Sequence, residues 1–167
     1  MTSNKPVESR HQSLIQRTMM KKQALVMKSG TAQALSVLGT QVRFLCESES
    51  TGKAFSVMEV VLPLDAGPPL HDHDWDEAYY VTKGEVEFTI GTEKVTVHEG
   101  DFIYAPGGTL HGFHGISAEA ARMLIFDAPA HAGSFFKEVD REVKMPDDMA
   151  KVPEIGLRNG IRFIRPS

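Results

Sequence analysis

His71-Asp72-His73-Asp74-Trp75-Asp76-Glu77, closed by Gly84, and Gly100 to His111 with Pro106 and Gly108 between, are the stretches whose reading decides the fold. Together they offer one divalent ion three imidazoles, from His71, His73 and His111, and one carboxylate, from Glu77. Side chains alternate along a strand, so the odd-numbered His71, His73 and Glu77 are expected to face one side of a single sheet. His111 then arrives from another strand. Imidazole suits Fe, Ni, Cu, Co and Zn, and a hard carboxylate oxygen admits Mn as well. Closed structural zinc sites draw mainly on thiolates, whereas this chain has one cysteine, Cys46. Four protein ligands on an ion that prefers six leave two neighbouring positions free, which suits catalysis or ligand binding. One divalent transition metal (Fe, Mn, Ni, Co, Cu or Zn) is the expected cofactor.

A histidine alone in a strand is ordinarily a core or surface residue. His-x-His, a glutamate four residues on and a glycine-proline-glycine-histidine cluster further along are together hard to explain by packing. The other histidines stay outside this pattern. His11, His98 and His131 fall in tail, turn or loop contexts, and His114 has the opposite strand parity to His111, so it is expected to face away from the ion.

On these residues the chain resembles the cupins, the RmlC-like jelly-roll superfamily, and within them the quercetin dioxygenase-like monocupins. The first cupin motif is Gly, five residues, His-x-His, three or four residues, Glu, six residues, Gly. His71, His73, Glu77 and Gly84 meet it, while Asp65 stands at the leading glycine and Gly67 comes two places later. The second motif is Gly, five residues, Pro-x-Gly, two residues, His, three residues, Asn. Gly100, Pro106, Gly108 and His111 meet it, and Gly115 replaces the asparagine.

The resemblance extends over roughly residues 35 to 165. It takes in Thr51-Gly52-Lys53-Ala54-Phe55, Pro68-Pro69, Asp76-Glu77-Ala78-Tyr79-Tyr80-Val81, Phe135-Phe136-Lys137-Glu138 and Val152-Pro153-Glu154-Ile155 with Asn159-Gly160-Ile161. It implies an all-β fold, a double-stranded β-helix or jelly-roll barrel, with a metal at His71, His73, Glu77 and His111. Reactions within the family range from dioxygenation to isomerisation to plain binding.

Composition points the same way. A chain of 167 residues with 41% hydrophobic content and a net charge of -4 supports one domain with a sizeable core. Apolar runs stay far below the ~18 residues of a membrane helix, so no membrane partner is expected. One cysteine and no secretory signal argue for a reducing, cytoplasmic setting. Short β-prone runs occur at Ala34–Leu38, Gln41–Glu47, Ala54–Leu62, Ala78–Thr82, Glu85–Ile90, Lys94–Val97, Phe102–Ala105 and Leu124–Asp127, punctuated by glycine and proline. Val86, Phe88 and Ile90 alternate with polar residues, and Ile90-Gly91-Thr92-Glu93-Lys94 reads as a tight hairpin. Barrels of this size can hold one ligand inside.

If Glu77 faces inward, so do Tyr79 and Val81, and Phe113 accompanies His111. Tyr79, Phe113 and one of Phe102 or Tyr104 are therefore expected to wall the substrate pocket. Such a wall favours a flat or apolar organic molecule over a sugar phosphate, which needs Arg or Lys clamps. Arg43 and Arg122 are the arginines in expected strands.

Three regions follow: a basic arm at 1–30, a barrel at 31–130 and a C-terminal helical extension at 131–167 packed on the barrel. The arm carries Lys5, Arg10, Arg17, Lys21, Lys22 and Lys28 against one acid, Glu8, with apolar residues hinting at an amphipathic helix. Thirty residues are too few for a DNA-reading head, so no nucleic-acid partner is expected, and the arm is read as solvated or dimer-contacting. Ser134 can cap a helix running to about Glu142, and a second helix starts near Asp147 or Asp148, limited or kinked by Pro153.

The leading functional expectation is a dioxygenase acting on an enolisable substrate, a flavonol or β-diketone, with dioxygen as co-substrate. Glu77 serves as both ligand and general base. An isomerase or lyase, with a more polar pocket, and a non-catalytic binding module are the alternatives. A homodimer through barrel edges or the arm is expected, since open edges need cover.

Overall fold

In chain order the elements are β1 (Leu35–Val37), β2 (Thr40–Cys46), α1 (Ser48–Thr51), β3 (Ser56–Leu62), β4 (His71–Asp72), β5 (Asp76–Lys83), β6 (Glu85–Ile90) and β7 (Glu93–His98). They continue with β8 (Phe102–Ala105), β9 (His111–Gly115), β10 (Ala121–Ala128), α2 (Ala132–Glu142), a 3₁₀ turn (Met149–Lys151), α3 (Val152–Arg158) and β11 (Arg162–Phe163). These come from a computed structural model that describes residues 23–164. Most of the basic arm lies outside the described residues, and residues 23–28 have no regular structure.

Two sheets face each other across one core: β1-β2-β3-β10-β5-β8 and β11-β4-β9-β6-β7. Period-two patterning explains the pairing. In β3, Met58, Val60 and Leu62 point inward, and the antiparallel register sets Met58 against Ile125 and Val60 against Met123 of β10. The next ladder sets Ile125 against Tyr79 and Met123 against Val81 of β5, so one face of the sheet is continuously apolar. In the second sheet Phe88 of β6 pairs with Phe113 of β9, and the rings lie 5.0 Å apart. The hairpin expected at Ile90–Lys94 forms, with Ile90 opposite Glu93 and Gly91 at φ 60°.

Three strands fall outside the β-prone runs. β4 has two residues, β11 has two, and β9 reads His-Gly-Phe-His-Gly. None has the length or branched content that announces a strand, and each forms because a neighbour offers a ladder.

The segment before β4 is fixed by close approach. Gly67 packs on β9 so tightly that a Cβ there would lie 2.0 Å from the Phe113 carbonyl oxygen. This accounts for a glycine two places later than the motif asks.

The C-terminal elements correct two expectations. α2 begins at Ala132, and the fully buried Asp127 carboxylate, rather than Ser134, caps it by accepting the N–H groups of His131 and Ala132 at 2.7 and 3.0 Å. Pro153 sits in the first turn of α3, where its missing N–H costs nothing, so it opens the helix instead of limiting it. The chain then returns to the second sheet as β11, with Phe163 opposite His71.

Candidate metal centre

His71, His73 and His111 converge at one end of the barrel, all buried, with one ring nitrogen of each within 4.8 Å of the others. The route differs from the parity expected along one strand. His71 lies in β4 of the second sheet, Glu77 in β5 of the first, and His73 in the turn between. Convergence comes from the chain crossing between sheets over residues 73–75. Two bonds from the second motif hold that crossing: Gly108 N–H donates to the His73 carbonyl at 2.7 Å, and Gly107 N–H to Asp76 Oδ1 at 2.9 Å. Gly107 is needed there, because a Cβ would meet the Asp74 carbonyl oxygen at 2.4 Å.

The chain's own backbone orients each ring. His71 Nδ1 lies 2.8 Å from the Pro69 carbonyl, His73 Nδ1 2.9 Å from that of Trp75, and His111 Nδ1 2.8 Å from that of Thr109. Carbonyl oxygens only accept, so Nδ1 carries a proton in all three rings, which leaves Nε2 as the nitrogen that presents a lone pair whenever the ring is neutral. Nε2 of His73 and of His111 is buried without a hydrogen-bond partner. Buried polar nitrogens are rarely left unpaired, and an ion between these nitrogens would satisfy them; carbonyl-oriented rings are the usual support of a metal site.

Glu77 lies beside the triad, within reach of two of its rings. Its Oε2 lies 3.4 Å from His73 Nε2 and 3.5 Å from His111 Nε2. Trp75 Nε1–H donates to Oε1 at 3.2 Å, and the Tyr79 hydroxyl donates to Oε2. Burial raises the Glu77 carboxyl, but the facing His111 and His73 rings outweigh it and hold the group well below the usual carboxylate range. Burial pushes His71 down to about 4, helped by neighbouring His111, so it is neutral and ready to ligate at pH 7. Burial also pulls on His111, yet the Glu77 carboxylate prevails and leaves it above the ordinary histidine value. The Tyr79 phenol is raised by burial and then by the Glu77 charge, which keeps it a neutral donor.

With His111 just outside the lining, His71, His73 and Glu77 line one end of a cavity of about 50 Å³, room for about three waters. Its other walls are apolar: Val42, Val60 and Ile125 from the first sheet, Phe113 from the second, and Phe135, Phe136, Ile161 and Phe163 from the C-terminal elements. Phe113 thus lines the cavity. Tyr79 faces inward but lies behind Glu77, outside the lining.

Phe102 and Tyr104 do not wall the pocket: they are 63% and 56% exposed on the outer face. The ladder with β5 sets Ile103 against inward Tyr79 and Ala105 against inward Glu77, so the alternate residues of β8 must point out. His114 faces away, with Nε2 3.8 Å from Glu87. Arg43 and Arg122 each approach Glu59 at 3.8 Å and do not line the cavity.

Sequence reasoning missed two contributions. Trp75 stacks on His73 with ring centroids 4.1 Å apart and 5° between planes, besides holding Glu77. As the chain's one tryptophan, set inside the ligand motif, it was open to being read as structural support. Phe163, whose ring centroid is 5.4 Å from that of His71, gave no signal, because nothing near it in sequence bears a ligand.

Residues 58–127 match the family described as Cupin domain. An uncharacterized protein of Streptomyces coelicolor is 37% identical over 68 residues, which cover 40% of this chain and 65% of that one. The chain therefore spans just under two thirds of that relative's length. The polyketide cyclase RemF from Streptomyces resistomycificus superposes with a TM-score of 0.59 at 21% identity, over 64% of this chain and 80% of that one. An RmlC-like cupin from Shewanella frigidimarina gives 0.58 at 15% identity, over 68% and 98%. At such identities the structural likeness is one of fold. The chain carries a cupin domain and has the jelly-roll fold of the cupin superfamily. Its histidine triad could hold a metal ion. Among the described residues no helix is long and apolar enough to cross a membrane.

Proposed function

We propose that the chain is a metal-dependent dioxygenase acting on a small enolisable carbonyl compound of the β-diketone type. The observation that carries this reading is the set of buried, unpartnered imidazole nitrogens beside an ionised carboxylate at the end of an apolar cavity. A bound ion would supply Lewis acidity and two open positions, enough for an enolate and dioxygen side by side.

Glu77 is the group placed to accept the substrate's proton. Held well below the usual carboxylate range, it is a weak base, so only an acidic proton, such as that of an enol hydroxyl or of carbon between two carbonyls, is within its reach. Trp75 and Tyr79 fix both its oxygens, so proton transfer needs no rearrangement of the carboxylate.

The walls narrow the substrate class. No Arg or Lys lines the cavity, which disfavours phosphates and polycarboxylates. Apart from the ligands, its polar side chain is Thr40, whose hydroxyl already donates to the Val37 carbonyl at 2.6 Å. This poverty of polar contacts counts against an isomerase or lyase, which must orient a polar substrate. A cavity of about 50 Å³ suits a compact acyclic diketone better than a fused-ring flavonol.

The test is oxygen uptake by protein loaded separately with Fe, Mn, Ni, Co or Cu, given acetylacetone or a flavonol. Uptake with the diketone exceeding that with the flavonol is expected. No uptake with any pairing removes the dioxygenase reading, and substrate loss without oxygen favours the isomerase or lyase.

A further inference from the structure

Leu38 occupies an unusual place. It and Gly39 form the two-residue turn between β1 and β2, with Val37 opposite Thr40 and φ of 50° and 79° at the two turn positions. A tight hairpin turn with both φ values positive favours Asn-Gly, and a leucine there is strained by its Cβ. Turn tips are also usually exposed, yet Leu38 is only 6% exposed. Strain held at a buried side chain invites the question of what that side chain does.

Leu38 stands between two spaces. On one side is the metal cavity; on the other is an open groove of about 570 Å³ on the outside of the second sheet. Leu38, Pro68 and Phe113 line both, so the partition is one residue thick. The groove also presents Met145 and Met149, 47% and 37% exposed, whose flexible thioethers adapt to varied apolar shapes. Its titratable lining groups are Asp65 and His114, with no Lys or Arg, so it suits an uncharged ligand better than an anion.

The opposite wall is tied down. Arg162 pairs with Asp72 and Asp74, Ile164 N–H donates to the Leu70 carbonyl at 2.9 Å, and Lys137 reaches Glu47 at 2.6 Å. Among the described residues no hydrogen bond joins the Leu38–Gly39 tip to the 65–70 loop; Gly39 merely packs near Ala66.

We propose that Leu38 plugs a side entrance, and that small uncharged apolar carbonyl compounds reach the metal cavity from the Met145–Met149 groove past it. The assignment rests on the diketone reading for its ligand but not for its geometry.

The experiment has two arms on the full chain. In metal-free protein, exchange of xenon into the cavity is followed by ¹²⁹Xe NMR, since dry apolar cavities take up xenon. Leu38→Gly, which also relieves the positive φ, should speed exchange about tenfold, and Met149→Trp, at an exposed site, should slow it several-fold. In Co(II)-loaded protein, the same variants should change the association rate of acetylacetone in the same directions while leaving Co(II) affinity unaltered. Xenon exchange within twofold of the parent in both variants overturns the proposal, as does acceleration by Phe163→Ala alone, which would place the entrance at the C-terminal wall. Xenon rates that follow the proposal beside a Co(II) spectrum unmoved by acetylacetone would sink the diketone reading and leave the entrance standing.

Discussion

The ligand-bearing end of the cavity and its C-terminal wall surround the same space but are held in different ways. At the histidine end the orienting atoms have fixed neighbours, since three Nδ1 atoms face backbone carbonyls and each Glu77 oxygen accepts a side-chain donor, while Nε2 of His73 and of His111 is left unpartnered. The C-terminal wall is held by packing of Phe135, Phe136 and Phe163 and by exposed ion pairs at its rim. Hydrogen bonds fix direction, which a coordination sphere needs, whereas apolar contacts fix volume and exclude water. The difference teaches that function and stability can be perturbed separately on the two sides.

The sharpest break is His111→Ala, which removes a buried ligand and should lower metal affinity by more than about 100-fold, measured by titration calorimetry. Comparable affinity in that variant would mean the ion sits elsewhere. On the other side, Phe135→Ala empties a buried ring and should cost about 3 kcal/mol in urea unfolding. It should leave metal affinity within about twofold, and a larger loss would erase the distinction between the two sides. Trp75→Phe keeps the stack on His73 but removes the donor to Glu77. An affinity loss of about tenfold, with a shifted Co(II) visible spectrum, is expected for such an outer support.

The pH dependence sharpens the comparison further. His111 is raised above its ordinary value, so below that raised pKa a proton competes with the ion, and affinity should fall by up to about tenfold per pH unit. Above it the dependence flattens. His71, at about 4, adds its own proton only in strong acid. Metal titrations at pH 8, 7 and 6 read this directly, and a flat profile would remove proton competition at His111. The smallest effect is expected for Arg162→Ala: unchanged metal affinity, with faster amide exchange at Ile164, whose N–H reaches the Leu70 carbonyl.

Legibility differed along the same lines. That His71, His73, Glu77 and His111 come together could be read, because their spacing had little other explanation. Their arrangement could not, since strand parity put three of them on one sheet while the turn at His73 divides them between two. Phe102 and Tyr104 were misplaced for a related reason. A strand's period is visible in sequence, but which half faces inward depends on the neighbour it pairs with, here β5 through Tyr79 and Ile103. The helix that carries Phe135 and Phe136 was legible, whereas the strand that carries Phe163 was not, having two residues and existing only through pairing with β4.

By itself the sequence determined which three histidines and which glutamate gather, the jelly-roll class and the alternation that buries one face of each long strand, because these depend on residue type, motif spacing and local period. The tertiary structure alone decided which carbonyl orients each imidazole, which aromatic rings bound the cavity and that Leu38 stands between cavity and groove. Those are relations between residues far apart in the chain, set by register and by the path of the turns, and no local pattern encodes them.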